Sequence, residues 1–158
     1  MVAARTAPNR AVQFGGEHDH LDERGRRDAA ALVSSLRGAA EPTLVGPEPS
    51  VVQTAAACLP RYAVHAEFAS LDVGRWRGRS PESIEGTDLA AWFTDPDWRG
   101  HGGESVRAFI ARIRAAVVAA APGTLVVAGP VAQALLSGAP ETYFAHDVVP
   151  GRRYVLER

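Results

Sequence analysis

The densest run of titratable side chains in the sequence is Glu17-His18-Asp19-His20. Two imidazoles beside carboxylates supply the parts of an acid–base pair, with His18 or His20 working against Asp19 or Asp22. The same residue types can hold a divalent metal, but residues at i and i+2 converge on one ion only in extended chain. A second reading makes the run a solvated loop whose acids favour the N-terminus of the following helix. No metal is assigned to it. His101 adjoins Gly102-Gly103-Glu104, where glycines allow a backbone close to a ligand and a helix N-terminus favours an anion. Glu104 is explained equally well as a first-turn helix residue. Arg75, Arg77 and Arg79 share one side of an extended segment and read as a solvated face, or as a phosphate or nucleotide site. Trp76, Trp92, Phe93 and Trp98 can wall an apolar pocket or pack on one another. His65 and His146 sit in strand-like runs and read as structural, and Cys58 reads as a small buried hydrophobe.

What is missing narrows the chemistry further. All 17 basic residues are arginine. Without lysine there is no lysine Schiff base, no pyridoxal-phosphate anchor and no P-loop lysine. A single cysteine rules out an internal disulfide and any multi-cysteine zinc site. A net charge of −1 makes no electrostatic case for nucleic acid or an anionic membrane. With 158 residues, 46% apolar and 22% charged, residues 1–158 read as one soluble domain. The longest apolar run, Ala115 to Ala121, falls short of the ~20 residues of a membrane helix. Met1 to Arg5 holds no signal-peptide core, so a cytoplasmic location is expected.

The elements that must position these residues alternate. Asp22 to Arg37 carries Ala29, Leu32, Val33 and Leu36 at helical spacing, with Asp22 as cap and Gly38 as stop. Thr43 to Gly46 reads as a buried strand, Ser50 to Leu59 as a helix closed by Pro60, and Tyr62 to His65 as another strand. Gly74 to Gly103 reads as loops and short helices. Glu104 to Ala121 is an amphipathic helix with Val106, Phe109, Ile110, Ile113 and Val117 as its stripe. Thr124 to Ala128 is the best strand, followed by a turn at Gly129-Pro130 and a helix from Val131 to Leu136. Strand-like runs then occupy Thr142 to Leu156. The alternation predicts a three-layer α/β/α domain with a largely parallel sheet. Ligands in such sheets bind beyond the carboxyl ends of the strands, here Arg5-Thr6-Ala7, Gly46 to Ser50 and Ala128-Gly129-Pro130.

Five segments in order resemble the histidine phosphatase superfamily, also called phosphoglycerate mutase-like. Leu21-Asp-Glu-Arg-Gly-Arg26 is similar to its Leu-Thr-x-x-Gly-Arg helix start, and Gln53-Thr-Ala55 to the Gln-Thr-Ala after its Ser-Pro-x-x-Arg loop. Leu71 to Gly78 resembles its Asp-Phe-Gly-x-Trp-x-Gly segment, Gly103-Glu-Ser105 its Gly-Glu-Ser, and Thr124 to Leu136 its late strand, turn and helix. The resemblance implies the fold already expected. It also implies catalytic groups that this sequence replaces. The first motif, Arg-His-Gly, stands here as Arg5-Thr6-Ala7, so Thr6 takes the place of the histidine nucleophile. Ser50 stands for the second phosphate-binding arginine, Ser70 for the proton-donating glutamate, and Gly129-Pro130 for the second His-Gly. Of the five groups only Arg5 is retained.

Phosphoryl transfer through histidine needs an in-line imidazole, cations for the equatorial oxygens and an acid for the leaving oxygen. Threonine, two serines and a glycine supply none of these. The expectation is a protein that has lost phosphatase chemistry and binds a small organic molecule in the former catalytic cleft. Acid–base isomerisation, cyclisation, elimination or hydrolysis are the reactions open to it. Arg5 would anchor the ligand and Thr6, Ser50 and Ser70 would hydrogen-bond it, with Gly129, His18 and Trp76 completing the surface. His20, or His101 with Glu104, would move protons. A catalytically inactive scaffold is the alternative, and residual phosphatase or mutase activity the second alternative. No cofactor is expected. The expected partner is a small molecule, without nucleic acid or membrane, and a homodimer stays open.

Overall fold

The structure, a computed structural model, describes residues 1–4, 6, 13–15, 19–33 and 40–156. Three short aliphatic runs build its sheet. Thr43–Val45 (β1) lies between Ala63–Val64 (β2) and Thr124–Val126 (β3), parallel to both. Leu44 stands opposite Ala63 on one side and Leu125 on the other. Residues 1–4 run along the outer side of β3. Val2 bridges Val127 in parallel, and the Ala3 N–H donates to the Val127 carbonyl at 2.9 Å. The chain returns at 150–152 to pair with Val2 on its other side, the Val2 N–H donating to the Arg152 carbonyl at 3.0 Å.

Side chains of a strand alternate between faces, and here the alternation divides the core. Val2, Leu44 and Val127 share one cluster with Val106, Phe109, Ile110 and Ile113 of Val106–Ala119 and with Val131 and Ala134 of Gly129–Leu136. Ala3, Val45 and Val126 turn the other way, onto Val51 and Ala55 of Pro49–Cys58. In chain order the helices are α1 (Glu23–Ala31), α2 (Pro49–Cys58), α3 (Gly86–Thr94), α4 (Val106–Ala119) and α5 (Gly129–Leu136). α1 packs on α2, and α4 packs on α5. The result is the expected three-layer α/β/α arrangement. Each fully buried aliphatic of the stripe on α4 contributes about 1.5–3 kcal/mol of burial free energy.

Two expectations need correction. The α1 helix begins where predicted, with the Asp22 carboxylate accepting from the Gly25 N–H at 2.7 Å. It ends at Ala31, however, with Leu32 as its C-cap and Val33 exposed. The residues it buries are the small Gly25 and Ala29, so close approach to α2, not a leucine stripe, sets the packing. Leu36 and Gly38 lie outside the described residues. The tail is also not a strand. Pro140–Ala145 is a 3-10 helix, and no strand is found among residues 140–156. Pro140 has no N–H for a ladder, and the Thr142 hydroxyl donates to the Ala139 carbonyl at 2.9 Å, closing a local turn instead. The tail's apolar residues Tyr143, Phe144 and Val148 still join the core around α4 and α5.

Two glycines let two loops touch. Gly74 has φ of +49°, in the left-handed region, and a Cβ there would run into the His101 carbonyl. A Cβ on Gly103 would collide with the Asp72 carbonyl. Backbone bonds hold this contact, Glu104 N–H to Asp72 O at 2.8 Å and Arg75 N–H to His101 O at 3.1 Å. Gly103→Ala should therefore lower unfolding free energy by about 2 kcal/mol or more. Gly86→Ala, where a Cβ meets nothing within 4 Å, should change it by roughly 0.5 kcal/mol or less. Urea titrations of the two variants check the contrast.

Candidate functional site

The carboxyl ends of the strands open into a cleft of about 1360 Å³. Thr6 reaches it after the N-terminal strand segment, Glu48 and Ser50 after β1, and Ala128, Gly129 and Pro130 after β3. The Gln53-Thr54-Ala55 run explains how these ends are held together. The Thr54 hydroxyl accepts from the Ala4 N–H at 3.2 Å and donates to the Ser50 carbonyl at 2.7 Å. Gln53 accepts from the Leu21 N–H at 2.8 Å, and Leu21 bridges Thr6. Ala55 is fully buried against Val45 and Val51. Residues of this run thus tie Ala4 in the N-terminal segment and the 19–21 loop to α2.

The opposite wall is set by α4. The Ser105 hydroxyl caps it, accepting from the Ala108 N–H at 3.2 Å. Further along the helix Arg112 forms a two-point pair with Glu104, at 3.0 and 2.9 Å. Its remaining donors reach the carbonyls of Glu67 at 2.8 Å and Ala69 at 3.1 Å. Arg112 therefore fixes the 67–70 segment, and with it Ser70, against the helix. The Ser70 N–H in turn donates to the Glu48 carboxylate at 2.5 Å. Glu48 is the least comfortable group in the cleft. Burial pushes its carboxyl above the ordinary range, opposed by the Ser70 N–H, by its own N–H and by the charge of Arg112. Its second oxygen, Oε2, is buried with no hydrogen-bond partner among the described residues.

The structure brings four of the sequence-predicted binding residues, Thr6, Ser50, Ser70 and Gly129, around this one cleft. Glu104 lines it too, but as a partner locked to Arg112. Trp76 does not line it. Its side chain is 1% exposed and packs among Phe14, Trp92 and Trp98, at 5.3, 5.6 and 5.2 Å between ring centres. His101 is equally buried, edge-on to Trp76 and Trp98. Its Nδ1 accepts from the Gly103 N–H at 3.0 Å, and desolvation lowers its affinity for a proton, against Asp72 and with Arg75. That ring is neutral packing in the Gly74–Gly103 junction. His20 is exposed, and its Nδ1 lies 2.7 Å from the Gln53 amide nitrogen, outside the cleft lining. Arg5 and His18 lie outside the described residues. Among the described residues no group of three or more His, Cys, Asp or Glu could hold a metal ion.

Sequence reasoning missed Glu48 and His146, both of which line the cleft. The signal for Glu48 was its place in Pro47-Glu48-Pro49, between a strand end and a helix start. For His146 the misleading signal was the strand-like tail.

Comparison with known proteins follows the same order of segments. The sequence profile of the histidine phosphatase superfamily (branch 1) matches residues 3–136. The chain belongs to this superfamily. None of the curated proteins matches it. Solved structures of similar fold include TTHB049 from Thermus thermophilus, with 23% identity and a TM-score of 0.81 over 95% of this chain and 87% of that one. The mycobacterial glucosyl-3-phosphoglycerate phosphatase in complex with VO3 has 22% identity and a TM-score of 0.76, over 94% and 84%. The protein called mycobacterial hydrolase 1 has 22% identity and a TM-score of 0.74, over 91% and 80%. At these identities the likeness shows the histidine phosphatase fold. No helix among the described residues is long and apolar enough to cross a membrane.

Two measurements probe the wall. Arg112→Ala strands the Glu104 carboxylate and the loop carbonyls, and should cost about 2–3 kcal/mol of stability in denaturant titration. Arg107→Ala, whose exposed guanidinium pairs only with Asp97 and Glu141 among the described residues, should change little. The second concerns Glu48. An unfolded glutamate ionises at lower pH than this one, so the folded state holds the extra proton. Its stabilising effect is complete below the ordinary carboxylate range and is lost as pH rises through the raised value. Urea midpoints of the wild type should carry this decline as pH is raised from the acid side of the carboxylate range, and Glu48→Gln should remove it.

Proposed function

We propose that this histidine phosphatase superfamily member binds a small organic molecule in the cleft and does not use a phosphohistidine. The observation that carries the reading is the meeting of Thr6, Ser50, Ser70 and Gly129 around one open cleft. These are the four positions at which the resemblance places a nucleophile, a phosphate-binding cation, an acid and a second imidazole. Three hydroxyls and a glycine make instead a neutral hydrogen-bonding surface. Members of one catalytic unit are not additive, so the loss of several leaves no productive phosphoryl transfer. The cleft is open, since Trp76 and Trp98 pack behind it and do not fill it. A concave cleft lined by polar groups and an aromatic wall suits a small molecule better than a protein partner.

Among the titratable groups that line the cleft, Glu48 is the one we assign to any acid–base turnover, since its carboxyl is desolvated; His20 and His101 do not line the cleft and Glu104 is engaged by Arg112. A carboxyl whose proton affinity burial has raised is a better proton donor and acceptor than an ordinary glutamate, which is almost fully ionised at neutral pH. In this reading Thr6, Ser50 and Ser70 orient the ligand, and the Gly129 turn lets it approach the start of α5.

The direct test is an assay with p-nitrophenyl phosphate beside co-crystallisation with small-molecule libraries. The reading expects no hydrolysis above background and ligand density between Ser50, Ser70 and Gly129. Hydrolysis that disappears in Arg5→Ala would instead support residual phosphatase chemistry and defeat the reading.

A further inference from the structure

Resting on that reading, the lining of the cleft also indicates what kind of body its ligand carries. Rings from three stretches of chain meet on the side toward α3 and the tail: Phe14, Trp92 with Phe93, and Tyr143 with Phe144. Phe14 meets Trp92 at 5.4 Å and Trp92 meets Phe144 at 4.6 Å, both edge to face. Phe93 lies 5.0 Å from Trp92 and 4.7 Å from Phe144 between ring centres. In such contacts the positive edge of one ring meets the negative face of the next.

The wall is held from behind. Phe14 is clamped by two backbone bonds, its N–H donating to the Arg79 carbonyl at 3.0 Å and its carbonyl accepting from the Gly78 N–H at 2.9 Å. Trp92 backs onto Trp76 at 5.6 Å, and the Tyr143 hydroxyl donates to the Pro130 carbonyl at 3.4 Å. Side chains already fixed by packing cost a ligand little to order. Phe93 is the unfinished end of this wall. It stands in the last turn of α3 and is 52% exposed, while Trp92 beside it is buried. Among the described residues Tyr62 is the other markedly exposed ring, and it does not line the cleft. Core packing accounts for the covered rings, but not for one left in water beside a cleft whose other rings are in place.

We propose that the ligand of the cleft carries an aromatic ring, which packs on Phe93 beside Trp92 and Phe144 and continues their edge-to-face order. A ring gains this geometry in addition to the apolar area it covers, whereas a saturated body gains the area alone. The polar part of the ligand, of whichever charge, falls to the hydroxyls of Ser50 and Ser70.

The experiment is NMR titration of the full chain with benzyl alcohol and cyclohexylmethanol, neutral probes of similar size of which the saturated one is the more apolar. Amide shifts of residues 92–93 and 143–144 report on the wall. The indole N–H signals separate Trp92, which lines the cleft, from Trp76 and Trp98, which do not. The Trp92 N–H has no acceptor among the described residues, so no internal bond masks its shift. The expected result is binding of benzyl alcohol about threefold to tenfold tighter, with shifts at Trp92, Phe93 and Phe144. Phe93→Leu keeps an apolar side chain on the helix and removes the ring, so it should leave the chain folded and erase the preference. Equal or tighter binding of cyclohexylmethanol, or a preference that survives Phe93→Leu, would overturn the ring assignment and leave a small-molecule cleft in place. So would self-association of the chain that Phe93→Asp abolishes, since the ring would then belong to a contact with a second copy. Absence of shifts with both probes would also overturn it, and the small-molecule reading falls as well only if the library crystals show no density between Ser50, Ser70 and Gly129.

Discussion

The cleft depends on Arg112. This side chain reaches from α4 to the 67–70 segment, and Ser70 in that segment is what positions Glu48 after β1. One guanidinium thus joins an element on one face of the sheet to the loop that leads into α2 on the other. Planar geometry explains why arginine holds this place. A bidentate pair to Glu104 uses one edge of the fork, and the carbonyls of Glu67 and Ala69 use the remaining donors. A lysine, had the chain contained one, would offer a single point of charge. The Gly74–Gly103 contact supports the same wall from behind, through backbones that side chains would hold apart.

Much of the fold was legible because its elements are local. Asp22 caps α1 as its type requires, α4 starts two residues after the expected Glu104 with Ser105 as its cap, and Thr43 and Thr124 open parallel strands with the expected aliphatic runs. The alternation of Leu44 and Val45 divides the core as a two-residue period must. The tail misled because Tyr143, Phe144 and Val148 are apolar for the sake of α4 and the aromatic wall, not of a sheet. Burial and strand pairing leave the same trace in a short apolar run, and only Pro140 argued otherwise.

The cleft was legible in position, and the contacts of the side chains around it less so. Thr6, Ser50 and Gly129, named from the expected strand ends, line one cleft because the topology brings those ends together. Roles depend on packing across long sequence separations. His101 looked reactive beside two glycines, yet the ring is buried against Trp76 and Trp98, and Gly103 serves a loop contact. Glu104 looked like a free acid until Arg112, eight residues on, claimed it. Glu48 carried no motif at all. Its significance lies in a bond to Ser70 across twenty-two residues and in the desolvation of its carboxyl, neither of which a single sequence displays.

Superfamily membership does not by itself carry the superfamily's chemistry. The proposed change is that the cleft no longer complements a pentacoordinate phosphoryl group, since Thr6, Ser50, Ser70 and Gly129 stand at the positions where the family resemblance places imidazoles, a guanidinium and an acid. Orthovanadate, which mimics that group, reports on this directly. A crystal soaked in orthovanadate should show no vanadium between Thr6, Ser50 and Gly129 in anomalous difference maps. Vanadium seated there in trigonal-bipyramidal geometry would contradict the account.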